Sequence, residues 1–124
     1  MTEEKQTPSR FHTIFDCSGC NTDTFNKNNI TLFGKDIGLL IDVSVYGPPA
    51  IGNFDNGKEK ETGIFHSQIL EGLSHINGHY VTHTGEAYID IVSLKPIDVE
   101  NVQHLINQYY QPSHINIGFI ARYA

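Results

Sequence analysis

From Arg10 the chain reads Phe11-His12-Thr13-Ile14-Phe15-Asp16-Cys17, with Phe11, Thr13 and Phe15 on alternate positions. That period of two predicts a first strand, ended by Ser18-Gly19 and followed by a polar loop from Asn21 to Asn29. Ile30, Phe33, Ile37, Leu40 and Ile41 then recur at helical spacing. Against a helix, Gly34 and Gly38 each cost about 1 kcal/mol, and Val43, Val45 and Tyr46 favour strands. The pattern predicts a helix to about Leu40, then a strand from Leu39 or Leu40 to Tyr46. Gly47-Pro48-Pro49 stops it. Asp55-Asn56-Gly57 is turn chemistry, and Lys58 to Glu61 is a charged, exposed link. Ile64 to Leu73 fits a strand or a short helix.

The last third is more regular. His79 to Thr84 and Ala87 to Ser93 read as two strands joined at Gly85. Pro96, then Asp98 as N-cap, opens a helix whose apolar face is Val99, Val102, Leu105, Ile106 and Tyr109. Pro112 ends it. Ile115, Ile117, Phe119 and Ala121 alternate with polar or small residues, predicting a half-buried final strand. Strands flanking helices, with no repeat and no low-complexity stretch, give a single α+β domain over residues 10–124 behind a frayed tail, residues 1–9.

Composition narrows the function. The chain has 124 residues, and eight Lys and Arg against fourteen Asp and Glu give a formal net charge of -6. Such a thin cationic content argues against a nucleic-acid backbone or an anionic lipid surface as partner. No apolar run approaches a membrane span, and no signal-peptide core follows Met1. Cys17 and Cys20 are too few for a disulfide framework, so both are expected as reduced thiols in a cytoplasm. A small molecule is the expected partner.

Several side chains carry candidate chemistry beside a plainer reading. Cys17-Ser18-Gly19-Cys20 has the spacing of half a zinc knuckle or of a redox pair. No second such pair exists, and two small residues closing a strand account for it more simply. His75, His79 and His83 stand four apart, yet Gly78 and Tyr80-Val81-Thr82 oppose the helix that would align them on a metal, so no metal site is expected. A sheet histidine serves better as a hydrogen-bonding or proton-carrying group in a pocket. Asp16 and Asp90 lie on strands, where a half-buried carboxylate wants a partner, and Glu71 and Glu86 flank the histidine-rich stretch. Phe11, Phe15, Tyr109 and Tyr110 read as core or interface. Asp42, in the ambiguous stretch, carries no reading.

Two stretches together resemble a known family. Phe11 to Asn21, with its His, apolar run, acid and Gly19-Cys20, resembles the opening strand of the short prokaryotic S-adenosylmethionine decarboxylases. The order His83-Thr84-Gly85-Glu86, Ala87-Tyr88-Ile89-Asp90-Ile91, Tyr109-Tyr110-Gln111-Pro112 and Phe119-Ile120-Ala121-Arg122 resembles the last third of that superfamily. About half the chain is covered, and the order of the short matches is their strongest feature. The resemblance implies a two-layer sandwich, an antiparallel sheet with helices on one face, and S-adenosylmethionine as ligand. It implies polyamine-type decarboxylation through a pyruvoyl group made by self-cleavage before a serine, with cofactor chemistry on a protein frame. Carried onto this chain, Ser74 is the pyruvoyl precursor, with Glu71 and His83 as its catalytic companions. Glu86, with Phe15 and Asp16, lines the substrate.

The chain also departs from that pattern. Gly72 and Leu73 separate Glu71 from Ser74, the Ser74–His83 spacing is long, and Leu94 stands where the family carries a catalytic cysteine. Two further expectations therefore stand beside decarboxylation. One is a cofactor-free lyase in which the substrate carboxylate expels methylthioadenosine from its own sulfonium. The other is a non-catalytic binder of a nucleoside-like ligand. A homo-oligomer with sites between subunits suits all of them, because small sheets pair at exposed edges.

Overall fold

The computed structural model describes residues 7–55, 57–58 and 62–124; most of the expected N-terminal tail and of the 58–61 link lie outside the described residues. Among the described residues, six strands and two α-helices follow one another along the chain. They are β1 (Arg10–Ser18), α1 (Lys27–Leu40), β2 (Ala50–Phe54), β3 (Gly63–Leu70), β4 (Ser74–Val81), β5 (Glu86–Ser93), α2 (Val99–Tyr110) and β6 (His114–Arg122). The strands form one sheet in the order β2-β3-β4-β5-β1-β6, and every neighbouring pair is antiparallel. Both helices pack on it, giving the expected α+β sandwich.

Alternation explains the layers. Phe15 and Cys17 of β1, Ala87, Ile89 and Ile91 of β5, Ile76 and Tyr80 of β4, and Leu70 of β3 point to the helix side and are buried. Ile30, Phe33 and Ile37 of α1 and Val102, Ile106 and Tyr110 of α2 close on them. Inside this core the Tyr110 hydroxyl donates to that of Tyr80 at 3.1 Å, so two buried phenols satisfy one another.

The helix ends follow local chemistry. Asn26 caps α1 by accepting from the Asn29 amide at 2.9 Å, so the helix begins at Lys27, inside the stretch expected as loop. Asp98 caps α2 in the same way, as expected. At the far end of α1, Val43 N–H donates to Gly38 O and Asp42 N–H to Leu39 O, a Schellman stop with Asp42 at φ 60.

Two expectations are corrected. The strand from Leu39 or Leu40 to Tyr46 is absent: α1 occupies its start, and what remains makes a single bridge, Val45 to Leu70. The helix survives its glycines because they permit close approach. A Cβ on Gly38 would stand 3.0 Å from Val45 Cγ2 and 3.1 Å from the Val43 carbonyl oxygen. The final strand is no half-buried element either. β6 is an edge strand whose Ile115 packs against the core, while Ile117, Phe119 and Ile120 are exposed. The opposite edge, β2, was not anticipated at all.

Candidate functional site

β3 and β4 are joined by Glu71-Gly72-Leu73. Ser74 N–H donates to the Glu71 carbonyl, and Gly72 and Leu73 both take positive φ, 72° and 61°. Glycine accepts that conformation freely. Leucine does so at about 1–2 kcal/mol, because its Cβ crowds the following carbonyl. The strained residue is the one whose carbonyl precedes Ser74. Ser74 itself is buried at the mouth of β4, while Glu71 is exposed beside it.

Two clefts open on this corner. The larger, about 730 Å³, lies between α1 and the 42–49 segment and includes Lys35, Leu39, Asp42, Pro48, Gln68 and Glu71. The smaller, about 460 Å³, includes Asp42, Glu71, Ser74, Leu94, Lys95 and Asp98. Asp42 and Glu71 belong to both. Volumes of this order suit a drug-sized ligand or part of one. Glu71 also ties the corner together: its amide donates to the Ser44 carbonyl at 2.9 Å, and its Oε1 accepts from the Ser44 amide at 3.5 Å.

A second polar set lies on the sheet face opposite the helices. Asp16 pairs with Tyr88, which pairs with His79, so these three cross β1, β5 and β4 in one row. The Tyr88 hydroxyl donates to Glu86, and that bond, with partial burial and the nearby acids, pushes the phenol up to about 12. In the next row but one, His12 Nε2 lies 3.7 Å from Asp90 Oδ2, and His75 follows on β4. Burial, then the neighbouring His12, lowers the His75 pKa, and Asp90 partly offsets them. This face is acidic and aromatic, the chemistry that suits a cation.

The expected site residues therefore fall into three places. Ser74 and Glu71 share a corner. Asp16 and Glu86 share the outer face, whereas Phe15, one residue from Asp16, points the other way into the core at 0% exposure. His83 lies in the turn beyond β4, among exposed residues. At about 3.3 Å per residue, Ser74 and Val81 stand roughly 23 Å apart, so one chain does not bring His83 to Ser74. His75 and His79 share the outer face, and His83 does not join them; among the described residues no three metal-ligating side chains converge. Cys17 and Cys20 are free, buried thiols in contact with one another. Their hydrogen bond, reinforced by burial, raises the Cys17 pKa, and the same bond lowers that of Cys20 against the opposing effect of burial. Asp42, Lys35, Gln68 and Lys95 were not singled out from the sequence. Their partners lie far along the chain, and the one local signal was an acid where the Schellman stop usually carries glycine.

No known family model matches the chain, and no curated protein is detectably similar to it in sequence. Its fold, however, is similar to the crystal structure of the adenosylmethionine decarboxylase from Aquifex aeolicus VF5, with a TM-score of 0.75 over 94% of this chain and 92% of that one. Identity is 16%, so the likeness is one of fold.

Proposed function

We propose that the chain is an enzyme of S-adenosylmethionine, built on a decarboxylase-like fold and active at the Ser74 corner. The observation that carries this is the left-handed Leu73 immediately before Ser74, in a fold whose solved counterpart is an adenosylmethionine decarboxylase. Backbone strain at a functional bond is a recurrent device, and here it falls on the peptide that self-processing breaks. Ser74 Oγ adds to the Leu73 carbonyl, and the peptide C–N bond gives way to an ester. Elimination then releases the Leu73 carboxylate, and water displaces the nitrogen as ammonia. One water is consumed and one ammonia released, and residue 74 is left as a pyruvoyl terminus.

The corner fits such a group: a serine on a strained turn, an acid beside it and a cleft in front that carries Lys95 and Asp98. A pyruvoyl group there supplies an electron sink for loss of CO2 from an α-amino acid. Around it Glu71 and Asp42 offer negative charge to the substrate's cationic centre, and Lys95 offers a partner for a carboxylate. The enzyme works as a homo-oligomer, supported by the exposed apolar edge at β6, and the outer-face Asp16, Glu86 and His79 serve across subunit boundaries.

One observation favours a second reading. Leu94 packs against the turn, so that a Cβ on Gly72 would lie 2.8 Å from its Cδ1, and position 94 itself offers no titratable group. A lyase needs none. The substrate carboxylate oxygen bonds to its own γ-carbon, the C–S bond breaks towards sulfur, and methylthioadenosine leaves with a lactone.

The deciding measurement is the denatured mass of the purified chain, with Ser74→Ala as control. Cleavage before Ser74, lost in the variant, supports the decarboxylase. An intact chain that releases methylthioadenosine overturns it in favour of the lyase, and an intact chain that binds without turnover leaves a binding protein.

A further inference from the structure

β1 ends in a pair of sulfurs that chemistry at Ser74 does not use. Inward positions alternate along the strand, so Cys17 follows Phe15 into the core. Gly19 then bends the chain at φ 65, where a Cβ would stand 2.0 Å from Ser113 Oγ. Only glycine fits there, and the bend returns Cys20 to the same core. The two free thiols share a hydrogen bond. Burial chiefly raises the Tyr80 pKa, and both thiols add to that rise, so the sulfurs converge on one place beside the Tyr80 phenol.

Other segments hold the bend. Cys20 N–H donates to the Gly85 carbonyl of the β4–β5 turn at 2.9 Å, and Asn21 N–H donates to the Tyr110 carbonyl of α2 at 2.9 Å. Ser113, just ahead of β6, donates its amide and its hydroxyl to the Ser18 carbonyl at 3.0 and 3.2 Å. A disulfide forms readily only where two cysteine side chains meet without backbone movement, and this pair meets in the folded chain. Access is unequal: Cys17 is 3% exposed and Cys20 8%, so a small oxidant reaches Cys20 first and a bulky one reaches neither. The shared hydrogen bond favours the thiolate on Cys20, against burial, and disfavours it on Cys17. Thiolate is the reactive form.

We propose that Cys17 and Cys20 form a reversible disulfide on reaction with hydrogen peroxide, with Cys20 as the attacking thiol and Cys17 as the resolving one. Cys20 gives up its proton and attacks a peroxide oxygen. The O–O bond breaks, Cys20 becomes a sulfenic acid, and the released hydroxide takes the proton as water. The Cys17 sulfur then bonds to the sulfenic sulfur, the S–O bond breaks, and a second water leaves with the Cys17 proton. Two thiols are oxidised and one peroxide is reduced. Because the bend pins the β4–β5 turn, the end of α2 and the start of β6, each of those segments feels the change.

The test exposes the reduced, folded full chain to hydrogen peroxide, alkylates the remaining thiols and weighs the denatured product, or its N-terminal fragment if the chain cleaves before Ser74. Expected are no alkyl uptake, a loss of two hydrogens, and recovery of both thiols with dithiothreitol. Amide NMR shifts centre on residues 17–21, Gly85, Tyr110 and Ser113. In Cys17→Ala the reaction stops at a Cys20 sulfenic acid that dimedone traps, and in Cys20→Ala oxidation of the remaining thiol slows at least tenfold. Two alkylated thiols after peroxide, or added oxygen in place of a disulfide, overturn the proposal. So does a bond between two chains. Collapse of the amide dispersion on oxidation overturns it too, because the bond then belongs to an unfolded chain. Equal rates in the two variants overturn the role of Cys20, and the parent readings stand where a variant fails to fold.

Discussion

His66 sits on the core face of β3 at 0% exposure, and neither ring nitrogen has a hydrogen-bond partner. Burial lowers its pKa from 6.5 to about 4, so the folded chain holds it neutral. The unfolded chain takes up a proton between those values, and stability falls as pH drops through that window. The full effect is about 3 kcal/mol, complete below about pH 4 and absent above about pH 6.5. Denaturant titrations at pH 7 and pH 4.5 should show an acid loss about 2–3 kcal/mol larger for the parent than for His66→Leu. Equal losses would mean that His66 is not buried in the folded state. Nothing in the residues around His66 announces this. It lies under α1 at Gly34, whose Cβ would come within 3.5 Å of Nε2, and that neighbour is 32 positions away in sequence.

At the scale of elements, the two positive-φ turns and the glycine face of α1 make separable predictions. Leu73→Gly removes the left-handed penalty and should raise stability by about 1 kcal/mol. If strain drives self-processing, the same change slows cleavage before Ser74; unchanged cleavage in the stabilised variant would sink that link. Gly38→Ala improves helix propensity but drives a methyl into Val45 and the Val43 carbonyl, so a net loss of about 1–2 kcal/mol is expected from thermal melts. A gain in stability would show that α1 and the 42–49 segment can separate, and with it the larger cleft. Local pattern was enough to place β1, β5 and α2, because each has an unbroken period and a clear cap or stop. It was insufficient around residue 40, where glycines and β-branched residues vote against a helix that packing then holds in place.

For the whole molecule, the sheet ends in two unlike edges. β2 has five residues, whereas β6 runs for nine and shows exposed Ile117, Phe119 and Ile120 without a proline or an internal charge before Arg122. Natural edges usually carry such guards. Sedimentation or light scattering should therefore find an assembled parent, and Ile117→Lys or Phe119→Lys should shift it to monomer with its fold intact. A monomeric parent would remove the case for sites shared between subunits and leave His83 apart from Ser74. No helix among the described residues is long and apolar enough to cross a membrane.

By itself the sequence determined the α+β class, the N-cap of α2 and the inward face of β1. Side-chain period and capping are local physics, read within a few residues. It also held the serine, the acids and the turn residues of the candidate corner, though not their grouping. Strand order decided that. It sent β6 to an edge and set Asp16 of β1 in one row with Tyr88 of β5 and His79 of β4. It also placed Asp42 of the α1 stop and Glu71 of the β3–β4 turn on the same two clefts. Such meetings depend on contacts between distant segments, whose free energy comes from burial and shared hydrogen bonds, and no local period encodes them.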